Sequence, residues 1–130
     1  MPRKKTRSQV VKLLDKVFSE YIRRRFAKNE IAECFTCGKK DHWKKLQCGH
    51  FQSRKHYATR WDEINCQVQC SACNVFRYGE QYKYSLWLGQ EKAEQLYMLS
   101  KKTLKLMEYD LLDLINIYEE KVKVLKKGLN

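Results

Sequence analysis

Two Cys-x-x-Cys pairs, Cys34-Phe-Thr-Cys37 and Cys70-Ser-Ala-Cys73, constrain this chain more than any other feature. A Cys-x-x-Cys turn, followed here by the small Gly38, lets two thiolates converge on one ion, and two such turns complete a tetrahedral S4 site for zinc. The 32 residues between Cys37 and Cys70 exceed the span of a compact zinc ribbon, so the staple must enclose an insert. That insert carries Cys48-Gly49-His50 and Asn65, and Asn74 directly follows the last cysteine. Disulfides or a redox pair are the competing use of such cysteines. With 27 Lys+Arg, a Met-Pro-Arg-Lys-Lys start and no signal peptide, the chain reads as cytoplasmic, where thiols stay reduced, so structural zinc is expected. Cys48 and Cys66 are left over and are expected to be small packing residues.

At 130 residues the size prior gives a single domain with one modest core, helped by a metal. The formal charge of +12 predicts attraction to a polyanion, of which nucleic acid is the commonest inside a cell. The charge is uneven: residues 1–33 hold ten Lys/Arg against four Asp/Glu, residues 34–89 nine against four, and residues 90–130 eight against seven. The binding surface is therefore expected on the first two thirds. No apolar run is long enough to span a bilayer, the basic residues do not alternate with an inserting apolar face, and nothing points to a small-molecule substrate.

Three regions follow from pattern. In residues 1–30 a basic arm, Pro2 to Arg7, leads to Ser8 as a predicted N-cap. Val10, Leu14, Val17, Phe18, Tyr21, Ile22 and Phe26 then recur at helical steps, with Arg23-Arg24-Arg25 largely on the far side. Residues 31–89 read as short strands and loops, with Leu46 to Phe51 as one strand of a hairpin and Asp62 to Gln69 leading back to the second cysteine pair. Val75, Phe76, Tyr82, Leu86 and Leu88 permit a helix interrupted at Gly79, which places Asn74 near a helix start. In residues 90–130, Gln90 to Ser100 predicts a short helix. Leu104, Met107, Leu111, Leu114/Ile115, Tyr118, Val122 and Leu125 trace a longer one, whose stripe over 103–125 suits either packing on the first helix or a homodimer seam.

Cutting a phosphodiester needs a base, a cation to stabilise charge on phosphate and leaving oxygen, and fixed geometry between them. His50 is the best base available, because imidazole accepts a proton near neutrality. Asn74, placed by the zinc knuckle, offers an amide oxygen to a second ion, and Mg2+ is the expected occupant because it prefers oxygen ligands and keeps several waters. Asn65 suits bracing the loop that carries the histidine. Arg54, Arg60 and Arg77, with Arg23, Arg24 and Arg25 of the first helix, are candidates for holding DNA phosphates. His42 and His56 are expected at the surface or facing DNA, with His56 in reserve near His50. Trp43, Trp61 and Trp87 are expected to pack.

Cys34–Gly38, Gly49-His50-Phe51, Thr59-Arg-Trp-Asp-x-x-Asn65 and Gln69-Cys-x-x-Cys-Asn74 resemble the HNH endonucleases with a ββα-metal core. More narrowly, the stretch from Cys34 to about Leu99 is similar to the NinG (Rap) family of phage recombination proteins. The resemblance implies an α+β, treble-clef-like core flanked by a basic N-terminal helix and C-terminal helices. It implies a structure-specific endonuclease acting on branched DNA such as Holliday junctions and D-loops, in the cytoplasm of a bacterial host. Carried over by motif, His50 is the general base, Asn65 the middle asparagine, Asn74 the final position binding Mg2+ or Mn2+, and Cys34, Cys37, Cys70 and Cys73 the zinc ligands. Many HNH enzymes carry an Asp or His metal ligand just before the base, where this chain has Gly49. Either fewer protein groups hold the metal, or His50 is drawn toward it, or Asp41, His56, Asp62 or Glu80 fills the gap. A non-catalytic zinc module binding branched or single-stranded DNA, and an HNH nicking enzyme acting on linear duplex, are the alternatives.

Overall fold

A computed structural model describes residues 3–128; Met1 and Pro2 of the basic arm, and Leu129 and Asn130 at the other end, lie outside the described residues. The fold is α+β, with two small antiparallel sheets set among helices. Helix α1 runs Arg7–Arg24 and is capped by Thr6 rather than Ser8. The Thr6 hydroxyl accepts from the Gln9 N–H and the Gln9 side chain accepts from the Thr6 N–H, a reciprocal box that Ser8 has no partner to build. Val10, Leu14, Phe18 and Ile22 are buried at four-residue steps, with Val11 three before Leu14, whereas Phe26 falls past the helix end and is 72% exposed.

The sheets come next. Strands β1 (Ile31–Glu33) and β2 (Lys40–His42) pair across the first Cys-x-x-Cys turn; β3 (Gln47–His50) pairs with β4 (Cys66–Gln69), putting His50 opposite Cys66 and Cys48 opposite Val68. A single-turn helix α2 (Tyr57–Arg60) lies in the loop between β3 and β4. A π turn at Ala72–Phe76 leaves β4, and helices α3 (Gln81–Leu88) and α4 (Gln90–Ser100) follow, separated at Gly89. Asn74 therefore sits inside the π turn rather than at a helix start. The buried residue of α3 is Tyr84, while Val75, Phe76, Tyr82, Leu86 and Trp87 are exposed; Trp43 and Trp61 are buried as expected, Trp87 is not.

Helix α5 (Glu108–Lys126) starts later than its apolar stripe, because Asp110 accepts from the Met107 N–H and fixes the N-terminus there, leaving Leu104 and Met107 exposed. Leu111, Tyr118 and Val122 are buried, with Leu111 and Tyr118 in one core with Val10, Leu14, Phe18 and Ile22 of α1. Phe18 and Tyr118 meet edge to face at 4.8 Å. Fully burying such side chains stabilises by roughly 1.5–3 kcal/mol each, so the 103–125 stripe is largely spent inside the chain. A second cluster, Ala32, Trp43, Leu46 and Val68 with three of the knuckle cysteines, underlies the staple.

Candidate functional site

The sulfurs of Cys34, Cys37, Cys70 and Cys73 all lie within 4.8 Å of one another, with Cys37 and Cys70 at 3.7 Å. The first pair turns at Gly38, whose φ of +80° is the left-handed conformation that favours glycine, and the Gly38 N–H closes back on the Cys34 carbonyl. Burial opposes ionisation of Cys34, but hydrogen bonds from the Thr36 hydroxyl and from backbone around the cluster outweigh it and bring the thiol down to about 6. Four converging sulfurs with no oxygen donor among them fit a structural zinc ion.

The second knuckle positions Asn74. Its backbone N–H donates to the Cys70 carbonyl at 2.9 Å, and its side-chain Nδ2 donates to Gln47 Oε1 at 2.8 Å, while Asn74 Oδ1 has no donor among the described residues. Gln47, Asn74 and His50 line one cleft of about 360 Å3 between α1 and β3, with Asp15 and Arg23 of α1 on the opposite wall and Arg54, from the loop after β3, also lining it.

His50 is held by one ring nitrogen. Its Nε2 lies 3.0 Å from the Arg60 carbonyl oxygen, which can only accept, so Nε2 carries the proton and Nδ1 keeps a free lone pair. Burial, more than any other influence, holds the imidazole below its ordinary value of 6.5; the Arg60 hydrogen bond works the other way, and the Arg54 charge adds to the lowering. The ring is thus neutral at pH 7, the state a proton acceptor needs.

Asn65 is fully buried and braces the loop after His50. Its Oδ1 accepts from the Gln52 N–H, and its Nδ2 donates to the Gln52 and Thr59 carbonyls. Asp62 Oδ1 in turn accepts from the Ile64 and Asn65 N–H groups, fixing the turn that delivers Asn65. The buried Tyr84 hydroxyl reaches both the Gly49 and Asn65 carbonyls, at 2.7 and 3.0 Å.

Position 49 cannot carry a metal ligand here: a Cβ on Gly49 would collide with the side-chain amide of buried Gln69. Nor do the residues offered to fill that gap line the cleft. Asp62 is committed to its turn, Glu80 pairs with Lys83, Asp41 bonds the His42 N–H, and His56 stands at the N-cap position of α2, away from the cleft lining. Gln47 and Asp15, which sequence reasoning passed over, do line it. Gln47 lay within the expected strand and carries no charge to mark it; Asp15 was visible only as an acid between Lys12 and Lys16.

The arginines divide. Arg23 and Arg54 line the cleft, and Arg77 is exposed near Cys73. Arg60 is instead turned into a two-pronged pair with Asp15, at 2.6 and 3.1 Å, and its side chain is 14% exposed. Arg25 donates to the Cys66 carbonyl and Gln67, and Arg24 pairs with Glu20 while lying 4.0 Å from the Trp43 ring centre. These three are engaged within the fold; Arg23 also donates to Ser19 and to the Trp43 carbonyl, and Arg54 pairs with Asp15 at 3.2 Å, so what sets Arg23 and Arg54 apart is that they line the cleft. His42 bonds Glu30 outside the cleft. Cys48 and Cys66, expected as packing residues, have their sulfurs within 4.8 Å of a His50 ring nitrogen.

Among the described residues no helix is long and apolar enough to cross a membrane. A family model described as "Bacteriophage Lambda NinG protein" matches residues 2–128. No curated protein and no solved structure matches.

Proposed function

The chain belongs to the NinG family, a membership that points to a role in phage recombination, and from it and the cleft we propose an HNH-type, metal-dependent DNA endonuclease acting on branched intermediates. The observation that carries this reading is His50: a half-buried, neutral imidazole whose Nε2 is tied to the Arg60 carbonyl while the ring lines a cleft with Arg23, Arg54 and Asn74. A histidine held only for packing has no need to share an open cleft with two arginines and an amide oxygen.

In this reading His50 Nδ1 takes a proton from the attacking water, and Arg23 and Arg54 hold the phosphate. Asn65 keeps the loop from letting the ring swing, which matters because an error of about 1 Å in the base can cost roughly 100-fold in rate. Asn74 Oδ1 and Gln47 are the groups that would hold Mg2+ or Mn2+, with His50 beside them. Neutral amide oxygens fit a hydrated, oxygen-seeking cation that relies on DNA for its remaining ligands. The bound cation supplies charge stabilisation at the phosphate and the leaving oxygen. Asp15, the carboxylate on the opposite wall, is occupied by Arg60, Trp61 and Arg54.

The +12 charge supports DNA as the partner. A homodimer would let two clefts address the two strands of a junction. Since Leu111 and Tyr118 are buried in the core with α1 and Val122 is buried too, such a seam would use exposed side chains of α5 such as Leu112, Ile117 and Val124.

The test is to incubate the purified chain with labelled four-way junction, flap and linear duplex, each with Mg2+ or EDTA and beside His50→Ala. Metal-dependent cutting of branched substrates that His50→Ala abolishes is the expected result. Absence of cleavage under any divalent metal, with binding intact, would leave the DNA-binding zinc module as the reading; equal cutting of duplex would favour the linear nicking enzyme.

A further inference from the structure

We infer that Cys48, His50 and Cys66 form a second metal site, selective for a thiophilic divalent ion such as Zn2+, and that filling it switches off the proposed nuclease by taking the His50 imidazole. The binding half stands on geometry alone; the inhibitory half rests on the function proposed above.

The β3–β4 ladder makes the site. His50 faces Cys66 across it, and Cys48, two residues before His50, is the diagonal neighbour of Cys66. The two sulfurs and one ring nitrogen fall within 4.8 Å of one another. Around a tetrahedral ion with Zn–S near 2.3 Å and Zn–N near 2.0 Å, ligand atoms sit about 3.4–3.8 Å apart, so closing the site asks for shifts of about 1 Å. Cys66 is buried, whereas Cys48 and His50 line the cleft, which gives an ion its way in. None of the three belongs to the four-cysteine staple.

Donor chemistry sets the selectivity. Two thiolates and an imidazole suit zinc-like ions and reject Mg2+, which prefers oxygen. The site therefore takes a different ion from the one expected at Asn74 and Gln47, yet shares His50 with that chemistry.

His50 Nε2 and the Cys66 sulfur touch the same Arg60 carbonyl oxygen, at 3.0 and 3.4 Å, so Nε2 is the nitrogen on the sulfur side. An ion bound there requires the imidazole proton to leave Nε2 and reside on Nδ1, and releases one proton from each of the two thiols. Nδ1–H is a donor and accepts nothing. An ion that took Nδ1 directly would occupy the same lone pair, so neither mode leaves a base.

The experiment titrates Co2+ into the full chain, with its staple metal counted beforehand, and follows thiolate-to-cobalt absorption. Wild type is expected to take one equivalent beyond the staple. Cys48→Ser and His50→Ala should keep the staple equivalent and weaken the additional one more than about 100-fold, beyond the roughly 10–100-fold that losing an outer-shell partner costs. No additional equivalent, or one indifferent to both substitutions, overturns the site. In the cleavage assay, micromolar Zn2+ added over Mg2+ should slow wild type at least tenfold, and the ratio of rates with and without Zn2+ should return to near one in Cys48→Ser. Equal sensitivity in both overturns the inhibitory half. If no form cleaves DNA, the proposed nuclease and its inhibition fall together, while the cobalt stoichiometry still decides the site.

Discussion

Asn65 clasps Gln52 from both sides: its Oδ1 accepts from the Gln52 N–H at 2.7 Å and its Nδ2 donates to the Gln52 carbonyl at 3.1 Å. The same Nδ2 reaches the Thr59 carbonyl, so one buried amide joins the segment after His50 to helix α2. Replacing Asn65 by Ala leaves the Gln52 N–H and the Gln52 carbonyl short of a partner, each costing about 1–3 kcal/mol if it stays dry, while the Thr59 carbonyl still accepts from the Asp62 N–H. Asn65→Ala is expected to lower the denaturation midpoint and, in protein that still folds, to reduce junction cleavage more than DNA binding. Asn65→Asp should be nearly as damaging, because it keeps the acceptor and loses both donated bonds. Wild-type stability in Asn65→Asp would show that the clasp contributes little.

How legible this was in the sequence depends on the type of signal. The staple could be read because thiolate spacing is local, and α1 because Val10, Leu14, Phe18 and Ile22 repeat at helical steps. Asn65 as a brace was readable from its motif. The fates of Arg25 and Arg60 were not, since their partners, the Cys66 carbonyl and Asp15, lie 41 and 45 residues away and charge alone does not say which arginines fold inward. The meeting of Cys48 with His50 and Cys66 depends on strand register, which a pair of four-residue strands leaves open until the ladder is known.

His50 sets the pH response. Its value lies below 6.5, chiefly through burial, so the neutral base predominates at pH 7 and the acid limb of the cleavage profile should fall below pH 6.5. The linkage has the same direction. The unfolded ring takes up a proton near 6.5 while the folded ring resists, so His50 favours folding fully above that pH and this contribution is lost as pH falls toward the lowered value. A pH–rate profile of wild type, with His50→Gln melts across pH 5 to 8, checks both. His50→Ala should lose about 100- to 10,000-fold in rate, the usual scale for a general base, with binding retained.

Removing zinc should unfold the middle of the chain rather than merely slow it. Trp43, Leu46 and Val68 pack against the staple cysteines, so their burial depends on the sulfurs staying converged. Prolonged chelation, or Cys70→Ser, is expected to abolish the cooperative melt of the β-strands while helical signal from α1 and α5 partly persists. Metal analysis after gel filtration should find one zinc in Cys48→Ser, which keeps only the staple site, and none in Cys48→Ser combined with Cys70→Ser; a fully stable Cys70→Ser would remove the structural role.

Asp15 ties α1 to the loop of the cleft through Arg60, Arg54 and the Trp61 indole N–H. Burial opposes its ionisation, but Arg60 and Trp61 outweigh that and keep the carboxyl below its usual 3.8. A depressed carboxylate stabilises above its unfolded value and loses that contribution as pH falls through the folded one, so the acid arm of the stability curve lies below pH 4. Asp15→Asn is expected to cost about 1–3 kcal/mol in denaturant melts, since it leaves the half-buried Arg60 without its anion. The loss should shrink as pH falls through the lowered Asp15 value, where wild type is protonated too.

Gln47 tests where a catalytic cation would sit. Its Oε1 already accepts from Asn74 Nδ2 beside His50, and a carboxylate can keep that bond while adding a full negative charge. Cation affinity in oxygen sites rises with ligand charge. Gln47→Glu is therefore expected to lower the Mg2+ concentration that half-saturates cleavage by about tenfold, the equivalent of roughly 1.4 kcal/mol. A carboxylate facing the Arg23 and Arg54 wall also repels phosphate, so DNA binding measured without metal should weaken in the same variant and show a steeper dependence on added Mg2+. A cation held anywhere else in the chain would leave the Mg2+ requirement where it was and show only the weaker DNA binding, and that pattern would remove Gln47 and Asn74 from the cation's shell.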